Sequence, residues 1–204
     1  MVFASLKAGV NTRSMERVLD KPRLTKDDWI KAAFRSLTKH GPKGIGVDKL
    51  ARVLGVTKGS FYWHFKDLAD LHTEMVAHWR RIATNDVLGR VEAPGRSPRD
   101  VLIALFEELS TNPAEEYGGA LAETAIRSWS VTNPDVAREI AAEDIARVGY
   151  VRALLRRAGL TEDLATARAA YFYAALVGAE QMIPHIDFPR ASIESFVDAV
   201  LCPD

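Results

Sequence analysis

The stretch from Val47 to Leu71, VDKLARVLGVTKGSFYWHFKDLADL, contains two short helical patterns separated by a turn. Apolar residues in the first pattern recur at the spacing of one helix face: Val47, Leu50, Ala51 and Leu54. Gly55 ends this helix, and a second helix can begin at Thr57 or Lys58. Two short helices at this interval are typical of a helix-turn-helix.

The second of these helices has two different faces. Phe61 and Phe65 are four residues apart, and we expect both to face the core together with Val56. The outward arc is basic, aromatic and polar and consists of Lys58, Gly59, Ser60, Tyr62, Trp63, His64 and Lys66. A short helix of this kind fits the major groove of DNA, which is about 12 Å wide and displays donors and acceptors on base edges.

The same stretch resembles the DNA-binding signature of the TetR family of transcriptional regulators. The resemblance is carried by Leu50-Ala51, Leu54-Gly55-Val56, Gly59-Ser60, the run from Phe61 to Phe65, Lys66-Asp67, and Trp29, Ala32, Phe34 and Gly41 in the preceding helix. It covers residues 24–71 closely, and the rest of the chain matches only in pattern. The resemblance implies a DNA-binding head followed by a ligand-sensing and dimerisation region.

The resemblance also implies a role for each outward residue. Positions that approach bases in TetR-like proteins are held here by Lys58, Gly59, Tyr62 and His64. Ser60, Lys66 and the backbone at the start of the preceding helix are expected at phosphates. Val47 departs from the pattern, because many relatives have a threonine there whose hydroxyl contacts phosphate. The simpler alternatives are packing for Tyr62 and Trp63, a local hydrogen bond for His64 and plain solvation for Lys66.

The formal net charge of zero conceals an uneven distribution of charge. Residues 1–66 hold 14 Lys and Arg against 5 Asp and Glu, a net charge of +9, whereas residues 67–204 hold 13 against 22, a net charge of −9. All nine lysines lie at or before Lys66. Such a split indicates two regions that face different partners; the alternative is an accident of composition. We expect the basic region to neutralise phosphates, so that DNA affinity falls steeply with salt.

Three segments are predicted along the chain. Residues 1–22 lack sustained periodicity and predict a flexible basic arm. Residues 23–69 are the predicted helix-turn-helix domain, whose first helix begins at the Thr25–Asp28 capping box and ends at Gly41. Residues 70–204 are the predicted sensing and dimerisation domain. The cations that precede the first helix either contact DNA or are merely solvated: Lys7, Arg13, Arg17, Lys21 and Arg23.

Helical periodicity continues to the end of the chain, so the predicted fold is all-α with about nine helices. A long helix is expected from Asp67 to about Gly89. Further helices are predicted at 98–110, 115–129, 134–158 and 161–186, and a last one follows Pro189. No segment of the sequence shows sustained strand alternation.

A single helix-turn-helix contacts few base pairs, which implies a homodimer on a palindromic operator. In the TetR family the last two helices form a four-helix dimer interface, and we adopt this expectation. Small residues on the first of them permit close approach: Ala165, Ala169, Ala174, Ala175 and Gly178. The last helix carries an apolar stripe: Ile193, Phe196, Val197, Val200 and Leu201. The alternative is that this stripe covers only the chain's own core.

The helices before this interface contain aromatic and polar residues suited to a small-molecule pocket. The candidate ligand-binding residues are Phe106, Tyr117, Arg127, Trp129, Tyr150, Tyr173 and Glu180, with Gln181, Met182 and His185 nearby. Each can equally be an ordinary core residue. The resemblance implies that a small-molecule effector releases the dimer from DNA, usually to relieve repression.

Several other classes of protein are disfavoured. The single cysteine, Cys202, permits no internal disulfide or cysteine-rich zinc site, and no apolar run approaches the ~20 residues of a membrane span. The first residues also lack a signal-peptide core, so we expect a cytoplasmic protein without a membrane partner. His72 and His78 are six residues apart, whereas a zinc-protease helix needs four. We expect neither a metal nor a cofactor.

No phosphate loop, serine-nucleophile elbow or Cys/His arrangement appears in the sequence, and we therefore do not expect an enzyme. Two other functions remain as alternatives to a ligand-responsive regulator. One is a non-specific architectural DNA-binding protein. The other is a small-molecule carrier or enzyme with a vestigial DNA-binding head.

Overall fold

The computed structural model describes residues 24–110, 115–183 and 185–203, and within these ranges all regular structure is helical. The helices are α1 (Lys26–His40), α2 (Val47–Leu54), α3 (Lys58–Tyr62), α4 (Leu68–Arg80), α5 (Asp86–Val91), α6 (Pro98–Ser110), α7 (Ala122–Ser130), α8 (Pro134–Arg157), α9 (Glu162–Met182) and α10 (Arg190–Leu201). A π-helical segment, Arg81–Asn85, joins α4 to α5 without a break. The described residues thus form nine helical rods, which confirms the predicted all-α class. The predicted N-terminal arm lies outside the described residues.

Helix ends follow the local chemistry of the sequence. Thr25 and Asp28 form the predicted capping box, in which the Thr25 amide donates to the Asp28 carboxylate at 2.8 Å. Gly41 and Gly55 end α1 and α2 with φ angles of 66° and 68°, where a side chain would strain the backbone. The Asn133 side chain caps α8 by accepting hydrogen bonds from two backbone amides. Local signals therefore suffice to place these helix boundaries.

The helix predicted at 115–129 is interrupted in the structure. Residues Glu115–Tyr117 and Gly119–Leu121 are short 3-10 turns, and the α-helix begins only at Ala122. Gly118 and Gly119 cause the break, because their φ angles are 98° and 63°. A Cβ on Gly118 would lie 2.5 Å from Thr38 Cγ2, so this glycine also lets the segment approach α1. The helix predicted at 161–186 is shorter as well, since α9 ends at Met182.

The buried apolar side chains form two clusters. The first joins α1, α2, α3 and α4 to α7 and the start of α8, with Trp29, Phe34 and Phe61 at its centre. The second joins the end of α5 to α6, the C-terminal half of α8, α9 and α10. In the described residues no helix has the length and apolar character needed to span a membrane. The head, α1 to α3, therefore shares its core with the helices of the second region.

Candidate nucleic-acid interface and ligand cavity

The short α3 is held in place by aromatic packing rather than by its own length. Phe61 is fully buried, and its ring centroid lies 5.3 Å from that of Trp29 and 5.1 Å from that of Phe65. The amides of His64 and Phe65 both donate to the Phe61 carbonyl, which tightens the turn after the helix. This anchor fixes the direction in which the other residues of α3 point.

The opposite side of α3 faces away from the core. Tyr62 is 60% exposed and Trp63 is 78% exposed, so neither ring is used to fill the interior. Lys58, Gly59 and Lys66 are also exposed, and Ser60 and His64 are partly buried. A contiguous exposed surface of aromatic residues beside cations marks an interaction site. The surface has the chemistry of a groove-binding element.

Gly59 is not required by the fold of the chain. Its φ angle is not positive, and a Cβ added there would meet only Thr57 Oγ1, at 3.6 Å. A glycine inside a helix nevertheless costs about 0.5–1 kcal/mol relative to alanine. The absence of a side chain therefore suits a close approach from outside the molecule.

Two features of the head bear on DNA binding. Lys58 Nζ forms an exposed ion pair with Asp48 Oδ1 at 2.5 Å, which joins α3 to α2. An exposed pair contributes only about 0–1 kcal/mol, so an acceptor on DNA can displace Asp48 at little cost. Gly46 provides no side-chain cap to α2, and Val47 packs against the core. The first amides of α2 are thus available to an anion.

A cavity of about 930 Å³ lies between α4, the π-helical segment and helices α5 to α9. Much of its wall is aliphatic: Leu88, Leu105, Leu109, Val151, Leu176 and Val177. The wide turn of the π-helical segment also faces it, through Ile82, Ala83 and Thr84. Cavities of this size and composition are typical of small-molecule sites.

Five polar side chains of the wall form one network, the polar cluster, made of Thr84, Glu123, Glu143, Arg147 and Tyr173. Arg147 is its centre, since Nε donates to Thr84 Oγ1 at 2.8 Å and Nη1 to Tyr173 Oη at 3.2 Å. Its guanidinium also lies over the Trp79 ring, 4.9 Å from the centroid. Glu123 accepts a 2.6 Å hydrogen bond from Trp79 Nε1. Buried charges require such pairing.

Arg127 and Asp144 support Tyr173 from behind the wall. Two nitrogens of the Arg127 guanidinium donate to the Asp144 carboxylate at 3.0 and 2.8 Å, and the Tyr173 hydroxyl donates to Asp144 Oδ1 at 2.7 Å. Burial raises the pKa of Tyr173 to about 12, and its bond to Asp144 adds to the rise although Arg147 opposes it. The hydroxyl therefore stays protonated and keeps donating.

Glu180 differs from the other acids of the wall. Within the part of the chain that the structure describes, it has no hydrogen-bond or ion-pair partner. Burial raises the pKa of its carboxyl to about 7, and the Glu123 carboxylate adds to the rise while Arg147 and Arg127 oppose it. Glu180 is thus partly ionised at neutral pH and faces the cavity without a counter-ion.

Tyr117 belongs to the cavity wall and also touches the head. Its hydroxyl donates to Asp27 Oδ1 of α1 at 2.7 Å, and its ring lies 4.0 Å from that of His78. Glu116 beside it accepts from Lys31 at 2.5 Å and, through its carbonyl, from Arg35 at 3.2 Å. Burial and the bond to Asp27 raise the pKa of Tyr117 to about 12. This segment is a direct physical contact between cavity and head.

Four of the seven predicted ligand-binding residues line the cavity: Tyr117, Tyr150, Tyr173 and Glu180. The other three do not. Phe106 instead contacts Phe172 in the second cluster and the exposed Phe196, and Trp129 is buried against His72, with ring centroids 4.7 Å apart. Arg127 lies behind the wall, where it donates to Asp144 and to the two wall residues Tyr173 and Glu123. Helical periodicity shows that such residues face inward, but it does not show whether they line the cavity or pack in a hydrophobic cluster.

The sequence prediction missed the other polar groups of the cavity, which are Thr84, Asn85, Asp86, Arg90, Glu108, Glu123, Glu143 and Arg147. Several of their contacts join residues far apart in the chain, such as Trp79 to Glu123 and Thr84 to Glu143. One signal was available, because Glu143 and Arg147 lie four residues apart on α8 and interrupt its apolar face. Inward charges at this spacing indicate a buried pair.

The surface of α9 and α10 differs in part from the predicted dimer face. Ala165 and Ala169 are fully buried inside the chain and so allow close approach within it, and Val197 is buried in the same way. Ala174 is exposed, and Gly178 and Ala175 line an apolar groove of about 350 Å³ between the two helices. Tyr171, Met182, Ile186 and Phe196 are exposed on these helices or just after α9. Apolar surface is therefore available for pairing.

Comparison with known proteins links these features to one family. A family model described as bacterial regulatory proteins, tetR family, matches residues 30–75. The chain is 32% identical over 85 residues to the HTH-type transcriptional regulator AcrR of Shigella flexneri, which aligns 42% of this chain with 38% of that protein. It is 31% identical over 143 residues to an HTH-type transcriptional regulator of Saccharopolyspora erythraea, aligning 68% of this chain with 56% of that protein.

The chain thus spans less than two thirds of the length of either relative. A solved structure of a Rhodococcus sp. protein assigned to the TetR family of transcriptional regulators matches with a TM-score of 0.68 at 20% identity. That match covers 86% of this chain and 96% of the other. At this identity the match establishes a shared fold.

Proposed function

Because the chain belongs to the TetR family of bacterial regulatory proteins, we propose that it is a cytoplasmic, ligand-responsive transcriptional regulator that binds a palindromic operator as a homodimer. The single observation that carries the proposal is the exposure of Tyr62 at the end of α3 and of Trp63 directly after it, while Phe61 anchors that helix. An aromatic and basic surface held rigidly on a short helix suits the major groove.

Lys58, Gly59, Tyr62 and His64 are the proposed base contacts, and Ser60, Lys66 and the start of α2 are the proposed phosphate contacts. The charge of +9 on residues 1–66 supports this assignment, because cations that neutralise phosphates release counterions. The charge of −9 on the rest of the chain keeps that region away from the DNA backbone. Affinity should therefore depend on salt through the head alone.

Pairing through α9 and α10 gives the proposed dimer its two heads. The apolar groove beside Gly178 and the exposed Phe196 favour this surface over the more polar faces of α8. Two-fold pairing places two α3 helices on half-sites about one helical turn, or a multiple, apart. The dimer then recognises a longer DNA sequence than one short helix can, so its specificity for the operator is higher.

The proposed effector occupies the cavity and favours a dimer in which the two heads are wrongly spaced for the operator. Shifting this equilibrium from 1:99 to 99:1 needs a preference of about 5.5 kcal/mol, shared over the filled sites. The contacts from Glu116 and Tyr117 to α1 provide the route from cavity to head. Repression relieved by the effector is the outcome we propose.

Gel shifts with the DNA upstream of the coding sequence and with random duplex test this function. We expect preferential binding of the upstream DNA and loss of binding in Tyr62→Ala and Lys58→Ala variants that remain folded. Tyr62→Ala and Lys58→Ala, at two proposed base contacts, should each cost about 1–3 kcal/mol of operator affinity. The exposed Val131 and Arg138 of the second region supply the control alanine variants.

The same experiment separates the two other functions. Equal affinity for unrelated duplexes would indicate an architectural DNA-binding protein. Failure to bind any duplex at about 50 mM salt, where electrostatic binding is strong, would instead favour a small-molecule carrier or enzyme with a vestigial head. Either result would overturn the proposed regulator.

A further inference from the structure

The charges around the cavity are unevenly balanced. Seven charged residues line it, five acids and two arginines: Asp86, Glu108, Glu123, Glu143, Glu180, Arg90 and Arg147. Arg81 pairs with Asp86, Arg90 with Glu108, and Arg147 lies within ion-pair distance of Glu123 and Glu143. Among these described acids, only Glu180 lacks an ion-pair partner. A bound anion would meet no arginine that is free of a carboxylate.

The rest of the wall favours an apolar molecule. Leu176 and Val177 precede Glu180 on α9, and Leu105, Leu109 and Val151 face the same cavity. An alkyl chain or fused rings can bury surface there at about 25 cal/mol per Å². A charged group on such a ligand is tolerated only where it finds an opposite charge.

We propose that this cavity selects a cationic amphiphile, a molecule with an apolar body and an ammonium group that pairs with the Glu180 carboxylate. The inference rests on the proposed function, because it names the chemical class of the effector. The ammonium group neutralises the charge of Glu180, which no arginine of the wall pairs with, and the aliphatic side chains cover the apolar body of the ligand.

Glu180 is able to ionise for such a partner near neutral pH. Its pKa of about 7 means that a bound cation readily shifts the carboxyl to its ionised form at neutral pH, whereas in acid the carboxyl is protonated and neutral. Glu123, Arg127 and Arg147 act on its carboxyl electrostatically. The other charged and titratable groups that line the same cavity are Asp86, Arg90, Glu108, Tyr117, Glu143, Tyr150 and Tyr173. Tyr173 stays neutral over this range because its pKa is about 12, whereas Glu180 ionises within it, so Glu180 dominates the pH response.

Isothermal titration calorimetry of the full chain with three ten-carbon probes tests the inference: decyltrimethylammonium, decanol and decanoate. We expect the cation to bind most tightly and decanoate least. Glu180→Gln should weaken cation binding about tenfold, because the ammonium group loses its counter-charge, and should leave decanol binding within about twofold. The matched control is Glu162→Gln, an exposed acid in the first turn of α9.

The pH dependence provides a second readout that needs no variant. The ammonium of decyltrimethylammonium does not titrate, so its affinity should rise about tenfold from pH 6 to pH 8 as Glu180 ionises. Glu180→Gln should abolish that rise. Equal affinity of the cation in the two proteins, a flat pH profile, or tighter binding of decanoate would each overturn the inference.

These results can be told apart from failure of the proposed function. Gel shifts without any probe measure DNA binding independently of the cavity. Preferential operator binding with no preference for the cation would refute only the inference. Cation binding that depends on Glu180, in a protein that binds no duplex, would refute the regulator and leave the cation site standing.

Discussion

The hydroxyl of Tyr117 donates a 2.7 Å hydrogen bond to Asp27 Oδ1 and so joins the cavity wall to the first turn of α1. Lys31 reinforces the contact, since its Nζ lies 3.1 Å from Asp27 and 5.4 Å from the centroid of the Tyr117 ring. A ligand that displaces this ring changes the contacts of α1 directly. This contact can therefore couple ligand binding in the cavity to the position of the head.

Replacing Tyr117 with phenylalanine keeps the ring and removes only the hydroxyl. We expect the free energy of unfolding to fall by about 1 kcal/mol, because Asp27 loses a hydrogen-bond donor. Amides in the first turns of α1 should also exchange hydrogen faster, since the contact that holds this end of the helix is gone. Urea titration measures the first effect and hydrogen exchange the second.

Tyr150→Phe is the matched control for this change. Tyr150 also lines the cavity, and its hydroxyl donates to Glu92 at 2.7 Å, but this bond lies within the second region. Its loss should lower stability similarly without accelerating exchange in α1. Equal exchange rates of α1 in the two variants would contradict a specific role for the Tyr117–Asp27 bond.

Substitution of Gly59 should change protein stability and DNA affinity in opposite directions. Because the chain has room for a Cβ there, Gly59→Ala should raise the free energy of unfolding by about 0.5–1 kcal/mol while lowering operator affinity. The control is Gly89→Ala on α5, where nothing lies within 4 Å of an added Cβ. It should gain stability and keep its DNA affinity. An alanine at residue 59 that binds operator as well as glycine would remove Gly59 from the interface.

The parts of this structure that the sequence predicted depend on short-range chemistry. Gly41 and Gly55 end helices because few other residues adopt their positive φ angles, and Thr25 with Asp28 caps α1 within four residues. The inward positions of Phe61 and Phe65 follow from their spacing. The predicted base and phosphate contacts rest on the family resemblance and remain predictions.

The cavity was only partly predictable because long-range packing forms it. The sequence places both Phe106 and Tyr173 on inward faces, but only the packing of α6, α9 and α10 sends Phe106 to Phe172 and Phe196. The interruption at Gly118 also escaped prediction, since a glycine within a helical pattern has several explanations. Periodicity shows which face of a helix is buried, whereas the helix that packs against this face depends on the whole fold.

Gly178 offers a test of the proposed dimer that leaves each protomer intact. No atom lies within 4 Å of a Cβ added at this residue, which lines the apolar groove between α9 and α10. Gly178→Arg should therefore fold normally, shift the native mass from about twice 22.5 kDa to 22.5 kDa, and weaken operator binding. Light scattering after gel filtration measures the mass. Gly149→Arg on α8, which also has open space at its Cβ, should remain dimeric.

The raised pKa of Glu180 has a consequence for stability that does not depend on any ligand. Its pKa is 4.5 in a model compound and about 7 in the fold, so between these values the folded state holds a proton that the unfolded state releases. Ionised Glu180 therefore destabilises the fold, and the cost is absent below about pH 4.5, grows as pH rises, and is complete above about pH 7. Glutamine at this position does not titrate and avoids the cost.

We accordingly expect Glu180→Gln to raise the free energy of unfolding on the order of 2 kcal/mol at pH 8 and to change it little at pH 5. Urea titrations of both proteins at the two pH values measure the difference. Glu162→Gln, an exposed acid on the same helix, should show no such growth with pH. A constant difference between the two proteins from pH 5 to pH 8 would mean that Glu180 ionises normally, because only a carboxyl that resists ionisation makes the benefit of glutamine depend on pH.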